Sequence, residues 1–163
     1  MGRAKQAAPG TPATTALRKA GISFTAHEYE HDPAATSYGL EAAEALGVTP
    51  ERVFKTLLVD TGTGLAVGIV PVDRQLDLKA VAAALGVKKV AMAQPADAER
   101  STGYVVGGIS PVGQKRALPT VLDASAGEHA TVLVSGGRRG LDLELAPADL
   151  TRATSATVAS ISR

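Results

Sequence analysis

Apolar residues occur in short runs whose spacing alternates between helix-like and strand-like along the chain. Near the start, Thr11 followed by Pro12 is typical of a helix N-cap with proline in the first turn, and Gly21 is expected to end that helix. Residues 22–29 alternate as a strand does, and residues 37–46 predict a second helix. This part of the chain therefore predicts a helix, a strand and a helix.

The middle of the chain predicts a hairpin followed by a helix. Two β-rich runs, residues 55–60 and 65–71, are joined by the tetrapeptide TGTG, which is a good hairpin signal. The Ala-rich residues 78–85 predict a helix that Asp77 caps and Gly86 closes.

Two further strands are predicted near the end of the chain. Residues 131–135 and 141–145 are strand-like and are joined by a Gly-Gly-Arg-Arg-Gly turn. Pro147 is expected to open a last short helix, and residues 157–161 could form a closing strand. Without a repeat, linker or charge block, the pattern predicts one α/β domain with a mixed sheet over residues 11–163, after a disordered leader at residues 1–10.

Composition limits the function classes. The chain has 163 residues, of which 45% are apolar and only 3% aromatic, so Ala, Val and Leu must fill the core. The net charge of +1 predicts that any nucleic-acid contact is a local patch. The absence of cysteine excludes disulfides, thiolate zinc sites and a cysteine nucleophile. No apolar run has the length of a membrane span or of a signal peptide, so we expect a cytoplasmic protein without membrane contact.

Two glycine-rich segments each carry a pair of cations. Residues 102–116 read TGYVVGGISPVGQKR, and residues 135–147 read SGGRRGLDLELAP. Glycine pairs let the backbone turn sharply beside a ligand, and exposed amides next to lysine or arginine suit phosphate or another anion. The two segments therefore indicate a cleft for a phosphate-bearing partner, although solvated loop cations are commoner. Neither segment matches the Walker or dinucleotide pattern, so nothing supports an NTPase.

Few side chains stand out as chemical groups. Lys55 begins an apolar strand, where it could either reach into a cleft or extend its ammonium into water at the strand end. His27 and His31 would share one face of a strand, but surface histidines explain them, and His129, more simply than a metal site. We therefore expect no metal and no cofactor.

Hydroxyl and carboxyl groups give weaker signals. Ser110 and Ser135 lie in glycine-rich turns without a GxSxG elbow, which favours a ligand-positioning hydroxyl over a nucleophile. Asp142 lies in the alternating run LDLEL, a pattern that places leucines inward and acids in water. Its nearness to Arg138 and Arg139 also leaves a salt bridge open.

Several motifs together resemble one family. They are FKTLLV at 54–59, STGYVVGGISPVGQKR at 101–116 and VSGGRRGLDLELAPADL at 134–150, supported by HEYEHDP at 27–33 and EAAEALG at 41–47. This set closely resembles the YbaK family of bacterial Cys-tRNA(Pro) deacylases, which are related to the editing domain inserted in prolyl-tRNA synthetases.

The resemblance implies a fold and a set of site residues. The fold would be a single compact α/β domain with a mixed, partly barrel-like sheet and surrounding helices. Lys55 matches the family's essential lysine, and Gly107 joins it as the second catalytic position. The implied substrate-binding residues are Tyr29, Tyr38, Thr56, Gly108, Ser135 and Asp142; position 38 is often Phe in relatives.

The implied activity is removal of cysteine from Cys-tRNA(Pro), and by extension from Cys-tRNA(Cys), by an enzyme with no nucleophile of its own. An aminoacyl ester needs positioning and oxyanion stabilisation more than a protein nucleophile. Lys55 would contact the terminal phosphate or ribose, the backbone at Gly107 and Gly108 would hold the ester carbonyl, and the substrate's thiol would attack. The implied partners are the tRNA acceptor end and prolyl-tRNA synthetase. An Ala-tRNA(Pro) deacylase, a non-catalytic module that binds tRNA ends or the synthetase, and a small nucleotide-phosphate binder stay open.

Overall fold

The structure is a computed structural model that describes residues 10–163, so the predicted leader lies outside the described residues except for Gly10. The helices are α1 (Pro12–Lys19), α2 (Tyr38–Leu46), α3 (Leu78–Leu85), α4 (Pro95–Thr102) and α5 (Pro147–Thr154). The strands are β1 (Thr25–Glu28), β2 (Phe54–Asp60), β3 (Leu65–Pro71), β4 (Ala91–Met92), β5 (Thr120–Asp123), β6 (Val132–Arg138), β7 (Leu141–Leu145) and β8 (Thr157–Ala159). Two 3₁₀ turns, Pro50–Arg52 and Ala124–Glu128, complete the set.

The strands form two sheets that share one core. One sheet has the order β1-β7-β6, and the other has the order β4-β2-β3-β5-β8 and mixes antiparallel with parallel pairs. A parallel bridge between Val53 and Leu133 joins the sheets at one edge. Residues such as Leu58 and Ile69 from one sheet and Leu143 from the other pack together in the largest apolar cluster. The strands thus wrap partly around the core without closing a barrel, and the predicted fold class is confirmed.

Helix α1 is fixed to the sheet beside the later glycine pair. The hydroxyl of Thr11 accepts a hydrogen bond from the Thr14 amide, and the Thr14 hydroxyl accepts one from the Thr11 amide. This capping box satisfies amides that the first helical turn leaves without partners. The Thr11 hydroxyl also donates to the Gly136 carbonyl over 2.6 Å, which holds the helix against β6. Within the described residues, no helix has both the length and the apolar character needed to cross a membrane.

Some elements differ from the sequence prediction. Helix α4 and strand β5 were not predicted: α4 is rich in polar residues, and β5 has only four, which pair in parallel with β3 and β8. Strand β1 begins only at Thr25, and Ile22, which was predicted as strand, instead donates its amide to the Leu17 carbonyl in the turn that follows α1. The predicted Gly-Gly-Arg-Arg-Gly turn is mostly strand, since β6 runs through a bulge to Arg138.

Candidate active site

A cavity of about 300 Å³ lies where β2, the start of α2 and the ends of β6 and β7 meet the loop that follows α4. Its apolar wall includes Ala42, Val53, Phe54, Leu58, Ala98 and Ile109. Its polar residues include Tyr29, Tyr38, Lys55, Thr56, Ser135 and Asp142. An enclosure of this size, with a few polar groups on an apolar wall, has the character of a small-ligand site.

The predicted site residues come together in this cavity. The six polar residues and Gly107 all line it, although they come from β2, β6, β7, α2 and two loops. Gly108 is absent from the lining and is instead packed against the backbone of the second glycine-rich segment. The roles assigned to these residues stay predictions, but they share one space.

Lys55 enters the cavity from β2, where it lies opposite Val70 of the hairpin partner. Burial lowers the pKa of its ammonium, and the charge of Asp73 offsets part of this effect. No salt bridge joins Lys55 to a carboxylate of the described residues. The cavity therefore presents a partly desolvated cation that can bind an anionic or carbonyl oxygen.

The expectation that the acids of the LDLEL run lie in water is wrong for Asp142. It is only 5% exposed, and burial raises the pKa of its carboxyl to about 7. The reason is tertiary: β7 is the central strand of its sheet, so one face packs in the core through Leu141 and Leu143 while the other faces the cavity. The salt bridge left open by sequence also fails to form, since Arg138 pairs with Glu28.

Thr56 and Tyr29 add two hydroxyl groups to the polar side of the cavity. The buried Thr56 Oγ1 has no hydrogen-bond partner among the described residues. Burial raises the pKa of Tyr29 to about 12, and the charge of Asp142 adds to this rise. Tyr29 therefore stays protonated at neutral pH. An unpaired buried hydroxyl is costly, so the Thr56 hydroxyl is available to a polar group that enters the cavity.

Ser135 and Ser110 differ in position. The hydroxyl of Ser135, in the cavity, accepts a bond of 3.2 Å from the Gly137 amide within the β6 bulge. The hydroxyl of Ser110 accepts one from the Val112 amide and lies outside the lining. The Ser110 hydroxyl thus supports its own turn.

The two glycine-rich segments pack against each other at the mouth of the cavity. A Cβ on Gly108 would lie 2.8 Å from the Arg138 Cα, and a Cβ on Gly107, whose φ is +91°, would lie 2.6 Å from the Arg139 Nε. Gly108 therefore allows the backbones of the two segments to approach closely, whereas Gly107 is favoured by its positive φ and by the nearby side chains of Arg139 and Tyr38. Lys115 and Arg116 are exposed, and neither they nor Arg138 and Arg139 line the cavity, so the predicted gathering of the two cation pairs in one cleft is not found.

The histidines do not share a face as predicted, because His31 lies beyond the end of β1. The ring of His27 contacts Glu144 over 2.8 Å, and the ring of His31 contacts Glu41 over 2.9 Å. The described residues contain no cluster of three or more potential metal ligands. His27 thus links β1 to β7, and His31 links the loop after β1 to α2.

The chain is similar in sequence and structure to proteins of one known family. The family model described as an aminoacyl-tRNA editing domain matches residues 31–153, which contain all of the predicted site residues except Tyr29. The chain belongs to the aminoacyl-tRNA editing domain family. The predicted resemblance and the enzyme class, an aminoacyl-tRNA deacylase, are thereby confirmed.

Individual relatives agree with this assignment. A protein of Enterococcus faecalis named as a candidate Cys-tRNA(Pro)/Cys-tRNA(Cys) deacylase, EbsC, is 43% identical over 120 residues, which cover 73% of each chain. A crystal structure described as a candidate trans-editing enzyme for prolyl-tRNA synthetase is 27% identical with a TM-score of 0.83, over 96% of this chain and 99% of the other. A crystallised hypothetical protein is 29% identical with a TM-score of 0.84, over 94% and 100% of the two chains.

Sequence reasoning did not find two groups at the site. The apolar wall draws single residues from several elements, so no local pattern marks it. Glu99, whose carboxylate accepts a bond of 2.8 Å from the Val106 amide beside Gly107, lies on the unpredicted helix α4. Glu99 could have been found from the sequence only if helix α4 had been predicted.

Proposed function

We propose that this protein is a free-standing trans-editing enzyme that removes cysteine from mischarged Cys-tRNA(Pro), and also from Cys-tRNA(Cys). The observation that carries the proposal is the polar side of the cavity, where a cation and a hydroxyl that have no salt-bridge or hydrogen-bond partner within residues 10–163 lie with a buried carboxyl beside an apolar wall. The name of the Enterococcus faecalis relative supports the choice of substrate.

The cavity suits one aminoacyl group and little more. Its volume of about 300 Å³ is at the lower end for small-ligand sites, so only the end of the tRNA can reach the polar groups and the rest of the tRNA remains outside. Lys55 contacts the terminal phosphate or the ribose. Asp142 receives the substrate's α-ammonium, whose charge favours the ionised form of this carboxyl.

The reaction follows from positioning. The Gly107 amide donates to the ester carbonyl as negative charge develops on its oxygen. The cysteine thiol attacks its own carbonyl carbon, so that a C–S bond forms and the C–O ester bond breaks. The thiol proton passes to the leaving ribose oxygen, and water then opens the resulting thiolactone to free cysteine. No protein nucleophile takes part in this sequence.

The choice of tRNA comes from a partner. A net charge of +1 gives the chain little general attraction for a polyanion. We propose that prolyl-tRNA synthetase supplies tRNA(Pro) selectivity in the cytoplasm, in line with the description of the structural relative.

Deacylation assays with Cys-tRNA(Pro), Cys-tRNA(Cys) and Ala-tRNA(Pro) test the proposal. Wild-type protein should release cysteine, and Lys55→Ala should slow release roughly 100-fold or more, as loss of an electrostatic group at a reacting centre does. Lys79→Ala, which removes an exposed lysine from α3, should match wild type.

The other outcomes each change a different part of the proposal. Release of alanine alone would keep the site and change the substrate. No release, even with prolyl-tRNA synthetase added, would favour the non-catalytic module. If α-aminobutyryl-tRNA(Pro), which lacks the thiol, is cleaved as fast as Cys-tRNA(Pro), the thiol does not attack.

A further inference from the structure

Arg139 is bound to the loop that carries Gly107, although it lies outside the cavity lining. Its Nε and Nη2 both donate to the Val106 carbonyl, over 3.1 and 2.6 Å. The guanidinium carbon also lies 4.7 Å from the centre of the Tyr38 ring. One side chain thus joins the turn after β6, the loop after α4 and the start of α2 at the mouth of the cavity.

The peptide that Arg139 holds is the one that contains the Gly107 amide. No peptide bond of the described residues is cis, and in a trans peptide the C=O and N–H groups point in opposite directions. Fixing the Val106 carbonyl on the side of Arg139 therefore fixes the direction of the Gly107 N–H. That N–H donates no hydrogen bond to any other group in residues 10–163.

The other side of Val106 is held as well. Its amide donates to the Glu99 carboxylate over 2.8 Å, and the Gly108 amide donates to the Val105 carbonyl over 2.9 Å. With the carbonyl held by Arg139, the turn from 105 to 108 has little freedom to rotate. Gly107 needs this restraint because glycine by itself is the most flexible residue.

We propose that Arg139 is a positioning residue that orients the Val106–Gly107 peptide so that the Gly107 N–H faces the reacting carbonyl in the cavity. This inference rests on the proposed deacylation. It differs from direct phosphate binding, because two donors and one face of the guanidinium are already engaged within the protein.

The neighbouring arginine provides a matched control. Arg138 belongs to the same segment and carries the same charge, but its guanidinium pairs with Glu28 and contacts neither Val106 nor Tyr38. Arg138→Gln and Arg139→Gln therefore weaken the attraction for tRNA equally, whereas only the second releases the Gly107 peptide.

Kinetics of Cys-tRNA(Pro) deacylation by the two variants test the proposal. We expect Arg139→Gln to lower kcat roughly 10- to 100-fold, as small misplacements of catalytic groups do, while its KM stays equal to that of Arg138→Gln. Arg139→Lys keeps the charge but lacks the planar pair of donors, so its kcat should stay closer to that of Arg139→Gln than to wild type. Equal kcat values for the Arg138 and Arg139 variants, or a change in KM alone, would overturn the proposal.

Amide hydrogen exchange measured by NMR tests the restraint without any substrate. Exchange at Val106 and Gly108 should be faster in Arg139→Gln and unchanged in Arg138→Gln. If wild-type protein deacylates nothing, the proposed function fails, and the exchange rates still decide whether Arg139 holds the loop. Unchanged exchange in Arg139→Gln would show that it does not.

Discussion

Asp142→Asn is expected to stabilise the protein at neutral and alkaline pH. The carboxyl of Asp142 is 5% exposed and accepts no hydrogen bond within residues 10–163, and burial raises its pKa from 3.8 to about 7. In the unfolded chain the group ionises near its ordinary pKa. The folded protein therefore retains a proton that the unfolded chain has already released, and its stability must fall as the pH rises between the two values.

The size of the effect follows from the two pKa values. Each pKa unit corresponds to 1.36 kcal/mol, so the rise from 3.8 to about 7 costs the folded state about 4 kcal/mol above pH 7. About 2 kcal/mol of this cost should accumulate between pH 5 and pH 7, and the curve should become flat near pH 8. Because an asparagine amide must also be desolvated, the gain in the variant should be smaller than 4 kcal/mol.

Urea unfolding of wild type and Asp142→Asn from pH 5 to pH 8 measures this difference. Comparison of the two proteins at each pH cancels the contributions of the other titrating groups. The advantage of the variant should grow steadily up to about pH 7. If the two curves run parallel over this range, Asp142 titrates at its ordinary pKa and the desolvation argument is wrong. The variant should also lose deacylation, because it lacks the carboxylate that is proposed to receive the substrate's α-ammonium; such a trade-off between stability and activity is common at functional sites.

Two further substitutions test the surrounding structure. Burial acts to raise the pKa of Asp123, but hydrogen bonds from Ser125, Ile161 and Ser162 outweigh it and lower that pKa. The stabilisation that ionised Asp123 provides is present above its ordinary pKa and is lost as the pH falls through its pKa in the folded protein. Asp123→Asn should therefore lower the free energy of unfolding, measured with urea, by roughly 1–3 kcal/mol at pH 7 and by less at pH 3. An equal loss at both pH values would contradict this. Gly108→Ala should lower the free energy of unfolding by roughly 1–3 kcal/mol through overpacking, and the melting temperature should fall. Gly127→Ala, where an added Cβ meets nothing within 4 Å, should leave the melting temperature unchanged. Equal melting temperatures for the two variants would show that the loop can move aside.

The two acidic residues of β7 show why burial could not be predicted from local pattern. Asp142 and Glu144 alternate with leucines on the same strand, and sequence predicts the same environment for both. Glu144 meets Thr131, His27 and Arg52 near the end of the strand, and their hydrogen bonds and charges lower its pKa, whereas Asp142 faces the cavity and its pKa rises. The difference depends on what covers each position of the sheet, and that cover comes from distant parts of the chain.

The glycine pairs were identified correctly as unusual, but their physical role differs in part from the prediction. Sequence indicated backbone exposed to an anion. In the structure, Gly108 allows one segment to pack on the backbone of the other, and only Gly107 borders the cavity. Arg139 likewise holds a backbone carbonyl, so a motif that suggests a ligand can serve contacts within the protein.

The sequence by itself determined most of the local structure and the family. Helix caps such as Thr11 and Asp77, the hairpin between β2 and β3, and the motifs around Lys55 and Gly107 act over a few residues, so they are visible along the chain. Only the tertiary structure decided the strand order, the polar helix α4, the short parallel strand β5 and the burial of Asp142. These features depend on contacts between residues far apart in sequence, where packing and desolvation outweigh local preference.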